Sequence, residues 1–426
     1  MSMKCCIVSA VAGTGTPPFT QDFTNSDVFG GATPKAAIIL GGGAGSADTA
    51  TDGLSFQLGF SDGTNQSAIA FAGDTSTSTN STARSNRANA GYVHLGVDGT
   101  VDGAATISLI ANGGRLTWSD QSTGETIYVL LIGGDIEAAV VNVTGNGSGS
   151  AQTVTHGLSA APELIIALDA WAAENTDTGG DTNGSIGFWT ASTQLCAGQR
   201  LRDGQSTAAS SGQINTAFAF SAFSTAGGIV YEGAISNVGS SSFDMTTAPS
   251  TTNNLHFLSL RSTSGTALSV AAGVGTAKTS TGTQSDISGM TNNPQVLLVL
   301  PTALTSADLA SSTDTSGNFG LGISCKRSSD GVTQYMGVVS SADDGDATTA
   351  DWLNHQHSAA KHLHVLDADG VTSIAATVSS WVGGIEHNYT TASGVATKFP
   401  YLAFGADAVT GNAARARYYE MMRTSQ

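Results

Sequence analysis

The chain has 426 residues, of which only 12% are charged and 40% are hydrophobic, with 53 glycines and long Ser/Thr stretches. Its formal net charge of −17 makes a surface that repels nucleic acid and anionic membranes, and no Lys/Arg cluster offsets it. The apolar residues fall in regular strand-length runs, which argues against disorder and falls short of the roughly 20 residues a membrane helix needs.

The chain opens on Cys5-Cys-Ile-Val-Ser-Ala-Val-Ala-Gly13-Thr-Gly-Thr16, an apolar strand running into a turn. This start resembles a short signal peptide, but the same pattern returns at Ala138 and at Ala267, so it reads as a strand. Next comes Pro34-Lys-Ala-Ala-Ile-Ile-Leu40, a proline, one polar residue and five apolar ones. Proline has no N–H for a sheet ladder and suits the start of a strand, and the unbroken apolar run suits a strand buried on both faces. Leu54-x-Phe56-x-Leu58-Gly59-Phe60 then alternates large residues with smaller ones, with a glycine marking close approach of another backbone. Asp74 to Ala90 reads as a long polar loop. Gly113-Gly-Arg-Leu116-Thr-Trp118 and Ile127-Tyr-Val-Leu-Leu-Ile132 complete the unit.

The unit is written three times. Pro162-Glu-Leu-Ile-Ile-Ala-Leu168 and Pro294-Gln-Val-Leu-Leu-Val-Leu300 repeat the proline strand. Ile186-Gly-Phe188 and Phe319-Gly-Leu-Gly-Ile323 repeat the glycine strand, and Leu255 to Leu260 and Phe399 to Phe404 repeat the last one. Leu58 to Ile186 and Leu130 to Leu258 share one offset, 186 − 58 = 258 − 130 = 128, as tandem duplication requires. The third copy carries extra residues around 340–364. The reading is therefore all-β: three tandem β-sandwich, jelly-roll-like domains at 1–136, 137–264 and 265–426. Ala413 to Met422 reads as a closing strand, pairing with its own domain or with a neighbouring subunit.

The chemistry-bearing residues are sparse. Neighbours Cys5 and Cys6 point to opposite strand faces, Cys196 and Cys325 lie in apolar strands, and no copy repeats a cysteine pair. No disulfide framework is expected, which fits a reducing cytoplasm. The one dense constellation, His355, His357, His362 and His364, has His-x-His spacing that suits a transition metal such as Zn²⁺ or Fe²⁺. Against this, matching Leu363 and Val365 to Val93 and Leu95 leaves His362 and His364 as a polar outer strand face. Acidic loops at Asp177 to Asp181, Asp343 to Asp346 and Asp367 to Gly370 lack a full calcium-loop pattern and read as solvated turns. No nucleophile elbow, phosphate loop or dinucleotide fingerprint is present, so the chain reads as non-enzymatic, with no cofactor. Trp171, Trp189, Trp352 and Trp381 are candidates for sugar stacking, with core packing or subunit contact as the default.

In the repeated proline strand, the apolar-Gly-Phe strand and the Gly-Gly turn before Leu116-Thr-Trp118, set in a charge-poor Ser/Thr/Gly/Ala background, the whole chain resembles tandem-repeat virion proteins of tailed bacteriophages. The resemblance implies a virion location after assembly in the host cytoplasm. It implies other virion structural proteins as partners, a homo-oligomer such as a trimer, and contact with a host surface glycan or protein. Stacked domains reaching outward suit a tail fibre or receptor-binding protein. Capsid decoration, clamping neighbouring head subunits, is the alternative, and a glycan-cleaving tail enzyme with a carboxylate pair is the third class. By likeness to iron-bearing fibre tips, His362 and His364 of three subunits would offer six imidazoles to one metal. Neither nucleic-acid binding nor membrane insertion is expected.

Overall fold

The computed structural model describes residues 3–13, 15–44, 46–74, 81–121, 124–204, 210–223, 229–307, 317–342, 353–367 and 371–406. The all-β expectation holds. The described residues form strands and one short helix, Ser26–Phe29, capped by the Asn25 side chain, which accepts from the Val28 N–H at 3.1 Å. The strands make three large and three small antiparallel sheets.

Each large sheet has one order. An opening strand (Met3–Val11, Ile136–Thr144 or Ser269–Thr276) lies beside a last strand (Glu125–Gly134, Asn254–Ser262 or Lys398–Gly405). Then come the proline strand (Ala36–Ala44, Leu164–Asp169, Val296–Val299) and the glycine strand (Leu54–Ser61, Thr182–Thr190, Gly317–Lys326). A return strand (Gln66–Gly73, Gln194–Leu201, Thr333–Ala342) and an edge strand (Thr82–Arg87, Ser210–Asn215, Leu353–Ser358) finish it. The edge strand Thr82–Arg87 runs inside the stretch expected to be a loop. Each proline stands just before its strand, and the residue after it donates its N–H to the last strand: Lys35 to Ile132, Glu163 to Leu260 and Gln295 to Phe404, at 2.7, 2.9 and 2.9 Å.

The strand glycines do what close approach requires. A Cβ on Gly59, Gly187 or Gly322 would overlap the carbonyl oxygen of Gly91, Ala219 or His362, respectively. Each of those carbonyls immediately precedes the short strand that begins the small sheet's far edge: Tyr92–Leu95, Phe220–Phe223 and Leu363–Leu366. The glycine is thus where the chain's passage to the small sheet crosses the large one.

The proline strand is buried on both faces, and the two faces meet different things. Its odd-numbered residues in the first copy, Ala37 and Ile39, pack with Phe23, Leu116 and Trp118 of the small sheet. Its even-numbered residues, Ile38 and Leu40, join a second core that also holds Leu164, Ile166 and Leu168 from copy two and Val296, Leu298 and Leu300 from copy three. All three large sheets therefore share one central apolar core, and the small sheets lie outside. Cys5 faces this central core while its neighbour Cys6 faces the inter-sheet core.

The sandwiches close into a ring instead of stacking in a line. The opening strand of copy two packs on the glycine and return strands of copy one; copy three packs likewise on copy two, and copy one on copy three. A head-to-tail interface that returns to its start is a closed, threefold-like arrangement. Short strands stitch neighbours together: Thr176–Gly179 of copy two pairs with the edge strand of copy one, and Thr51–Asp52 of copy one pairs with the edge strand of copy three. Phe56 and Phe319, at equivalent positions of two copies, meet with ring centroids 5.2 Å apart. The third equivalent is Gly184, where a Cβ would collide with the Phe71 ring. The expected closing strand 413–422 and much of the insertion around 340–364 lie outside the described residues.

Candidate functional site

The histidine constellation is split between two environments. His355 and His357 share one face of the edge strand Leu353–Ser358 and point across the seam into the first domain. His355 Nδ1 donates to the Gly53 carbonyl at 2.8 Å, and His357 Nδ1 shares a 2.8 Å hydrogen bond with the Tyr128 hydroxyl. Gly42 and Gly43 lie against these imidazoles, so closely that a Cβ on either would overlap them. Ser358 and Lys361 both reach Asp48 at the same seam, at 2.7 and 3.3 Å.

His362 and His364 are fully buried inside the third domain, not on an outer strand face. The glycine contacts give the reason. His362 is equivalent to Gly91, so Leu363 takes the place of Tyr92 and His364 that of Val93, one residue off the match made from sequence. A one-residue slip turns every side chain to the opposite face. His362 stacks between Tyr335 and His387, with ring centroids 5.8 and 5.0 Å away, and neither of its ring nitrogens has a hydrogen-bond partner among the described residues. Burial, then the neighbouring His387 and His364, push its pKa well below the usual value. His364 donates from Nε2 to the Gln356 carbonyl at 3.3 Å, and burial lowers its pKa to about 4. Behind them His387 Nδ1 donates to Asp286 at 2.6 Å, and the Tyr389 hydroxyl donates to the same oxygen at 2.9 Å.

Among the described residues no three His, Cys, Asp or Glu side chains converge as a metal-ligand set. Burial of His362 and His364 also removes them from any surface that three subunits would present to a common axis.

The acidic segment Asp177 to Asp181 is an interdomain clasp, not a solvated turn. Asp177 accepts from Ser85 at 2.6 Å and pairs with Arg87, while Asp181 pairs with Arg200. Arg84 and Arg200, one from each domain, flank the Trp171 ring at 4.8 and 5.7 Å. Beside them Asp169 is wholly buried and accepts from the Tyr231 hydroxyl at 2.5 Å; burial raises its pKa to about 7. Trp381 is buried, its indole N–H donating to Thr333 at 3.0 Å, and Trp189 packs against the second domain's inter-sheet core. The loop 343–346, Trp352 and residues 368–370 lie outside the described residues.

One open groove of about 560 Å³ runs along the seam between domains one and three, bordered by Asp52, His94, Asp98, Asp102 and His355. His94 Nε2 reaches Glu125 at 2.8 Å, and Glu125 also accepts from Tyr92. The Asp98 carboxylate is engaged by Thr100, through its N–H at 2.9 Å and its hydroxyl at 2.6 Å. Those bonds hold its pKa below the usual carboxylate range, the reverse of what a general acid needs.

Sequence reasoning passed over Gly41-Gly-Gly43, Tyr128 and Asp286, which hold the histidines. The glycine run was a visible signal, since the equivalent stretches are Asp169-Ala-Trp171 and Pro301-Thr-Ala303.

No family model matches the chain, and no curated protein matches it. Among solved structures, a BenF-like porin from Pseudomonas fluorescens Pf-5 aligns over 88% of this chain and 98% of its own at 9% identity; its TM-score of 0.10 carries no argument.

Proposed function

We propose that this chain is a non-enzymatic structural protein on the surface of a tailed-phage particle, where it caps a threefold-related set of virion subunits as a head-decoration protein does. One observation carries the reading: three sandwiches close into a ring about a common core. The small sheets face outward from that ring, so one chain offers three related faces at threefold-like positions. Three weak contacts made at once by a rigid body hold far better than any one alone. A ring lacks the reach of an extended array, which removes the main argument for an attachment fibre. The low charge and small side chains suit close packing against neighbouring subunits.

Gold-labelled antibody on intact particles tests the assignment. Label over the heads, with density for one chain at threefold-related positions in particle reconstructions, is the expected result. Label confined to tail fibres, or none on the particle, overturns it.

A further inference from the structure

The ring has three interfaces, and the chain itself bridges only two of them. Gly134 leads directly into Ile136 between domains one and two, and Ser262 leads into Ser269 between domains two and three. At the third, the opening strand Met3–Val11 lies on the third domain with no covalent continuity. Cys5 on that strand and Cys325 on the glycine strand Gly317–Lys326 are both free thiols and fully buried. Burial, then the neighbouring Cys5 thiol, push the Cys325 pKa up, and Cys5 Sγ lies 3.7 Å from the carbonyl of Gln295, next to Val296, the register partner of Cys325. Cys5 Sγ also lies 3.3 Å from the carbonyl of Lys326, the residue after Cys325. The strands are pinned at this point: the Cys5 N–H donates to Ser328 Oγ at 2.9 Å, and the Ser328 N–H donates to the Cys5 carbonyl at 3.2 Å.

The strand registers identify the equivalent positions. Cys5, Ala138 and Val270 correspond, as do Cys325, Asp62 and Thr190. The pairs at the other two interfaces are thus Ala138 with Asp62 and Val270 with Thr190. Of the three equivalent pairs, the one made of two thiols sits where the chain leaves the ring open. Cys6 faces the opposite side of its sheet, and Cys196 lies in domain two beside Ser221, so neither competes.

We propose that Cys5 and Cys325 form a redox latch whose disulfide closes the ring covalently between the first and third domains. The oxidant is a small-molecule disulfide. One protein thiol, as its thiolate, attacks it to give a mixed disulfide and releases one small thiol. The second protein thiolate then displaces the other small thiol and completes the Cys5–Cys325 bond. Two protein thiols are oxidised, one small disulfide is reduced to two thiols, and the protons pass to these products. Burial holds Cys325 as the protonated thiol in the closed ring, so the exchange is slow and follows local opening. The finished bond is shielded from reductant by the same burial. The inference rests on the ring architecture and is independent of the proposed virion role.

The test uses the full chain, purified reduced and then incubated with oxidised glutathione. Thiol titration after denaturation is expected to fall from four to two. Peptide mapping with fragmentation is expected to show Cys5 joined to Cys325 within one chain. The oxidised protein should melt several degrees higher, an increase reversed by dithiothreitol. Cys6→Ala and Cys196→Ala should keep the link, and Cys325→Ala should lose it. Mapping the unmodified chain decides the point even where a variant fails to fold. Four thiols persisting, a link to Cys6, a link between chains, or a link with no rise in melting temperature overturns the latch.

Discussion

Acidification from pH 7 to pH 5 should destabilise the protein, and the buried histidines set the size of the effect. His256, wholly buried between Asn142 and Asn86 at the interface of domains one and two, has its pKa lowered by burial to about 3. His364 is lowered to about 4, and His362 well below the usual value. In the unfolded chain each titrates near 6.5, so below that pH the unfolded state binds protons that the folded state does not. Stability is then present above the unfolded pKa and lost as pH falls toward the folded one. At pH 5 this amounts to about 2 kcal/mol for each of His256 and His364, from 1.36 kcal/mol per pH unit over about 1.5 units. Asp169 opposes them. Its folded pKa, raised to about 7, makes the folded state bind the extra proton, which returns about 2 kcal/mol over the same interval. With His362 adding to the histidine side, the net loss is about 2 to 4 kcal/mol.

Urea unfolding monitored by tryptophan fluorescence at half-unit pH steps measures it. His256→Gln, which keeps hydrogen-bonding capacity toward the two asparagines, should reduce the slope by nearly one proton. A stability that is flat or rising from pH 7 to pH 5 would refute the assignment of these histidines as buried and neutral.

Gly322→Ala should destabilise by about 3 kcal/mol or more, because its Cβ meets the rigid His362 carbonyl; a loss below about 1 kcal/mol in urea titration counts against the crossing. Asp286→Ala removes the acceptor for both His387 and Tyr389 inside a closed core and should cost about 3 to 5 kcal/mol, read from the thermal midpoint. Tyr128→Phe deletes one buried hydrogen bond across the seam of domains one and three and should cost about 1 to 2 kcal/mol. Hydrogen exchange should then quicken in Leu353–Ser358 and leave Ser210–Asn215 unchanged.

Much of each sandwich was legible because its signals are local. A proline followed by an apolar run fixes a strand start, and Gly59, Gly187 and Gly322 mark the crossings from sequence alone. The ring was not read, although its trace was present. Ile38 and Leu40 are as apolar as Ala37 and Ile39, and one small sheet covers only one face of a large sheet. A second apolar face demands a second cover, which domains in an extended line do not supply. The histidine seam stayed hidden because His355 meets Gly53 and His357 meets Tyr128 from more than two hundred positions away. His362 and His364 were turned outward by an alignment one residue out of step, an error periodicity cannot detect when both faces are buried.

The three copies differ at the positions where their domains meet in the ring. Tyr128, His256 and Pro400 stand at equivalent places on the last strands, and each edge strand presents the corresponding partner position, held by His357, Asn86 and Ile214. The first two interfaces are hydrogen-bonded pairs, Tyr128 with His357 and His256 with Asn86. At the third, Pro400 and Ile214 are apolar and buried. Any exchange that brings Ile214 to Tyr128 or His256 sets a buried hydroxyl or imidazole against it, and an unpartnered buried polar group costs about 1 to 3 kcal/mol. Identical copies would let a domain of one chain mate with any domain of another, which invites open polymers. The apolar pair keeps the third interface from mating with either polar one, and the chain's own cyclic order satisfies every one of these buried polar groups. A homotrimer must solve its interface with one sequence used three times; a single chain solves it with three, and so specifies closure upon itself.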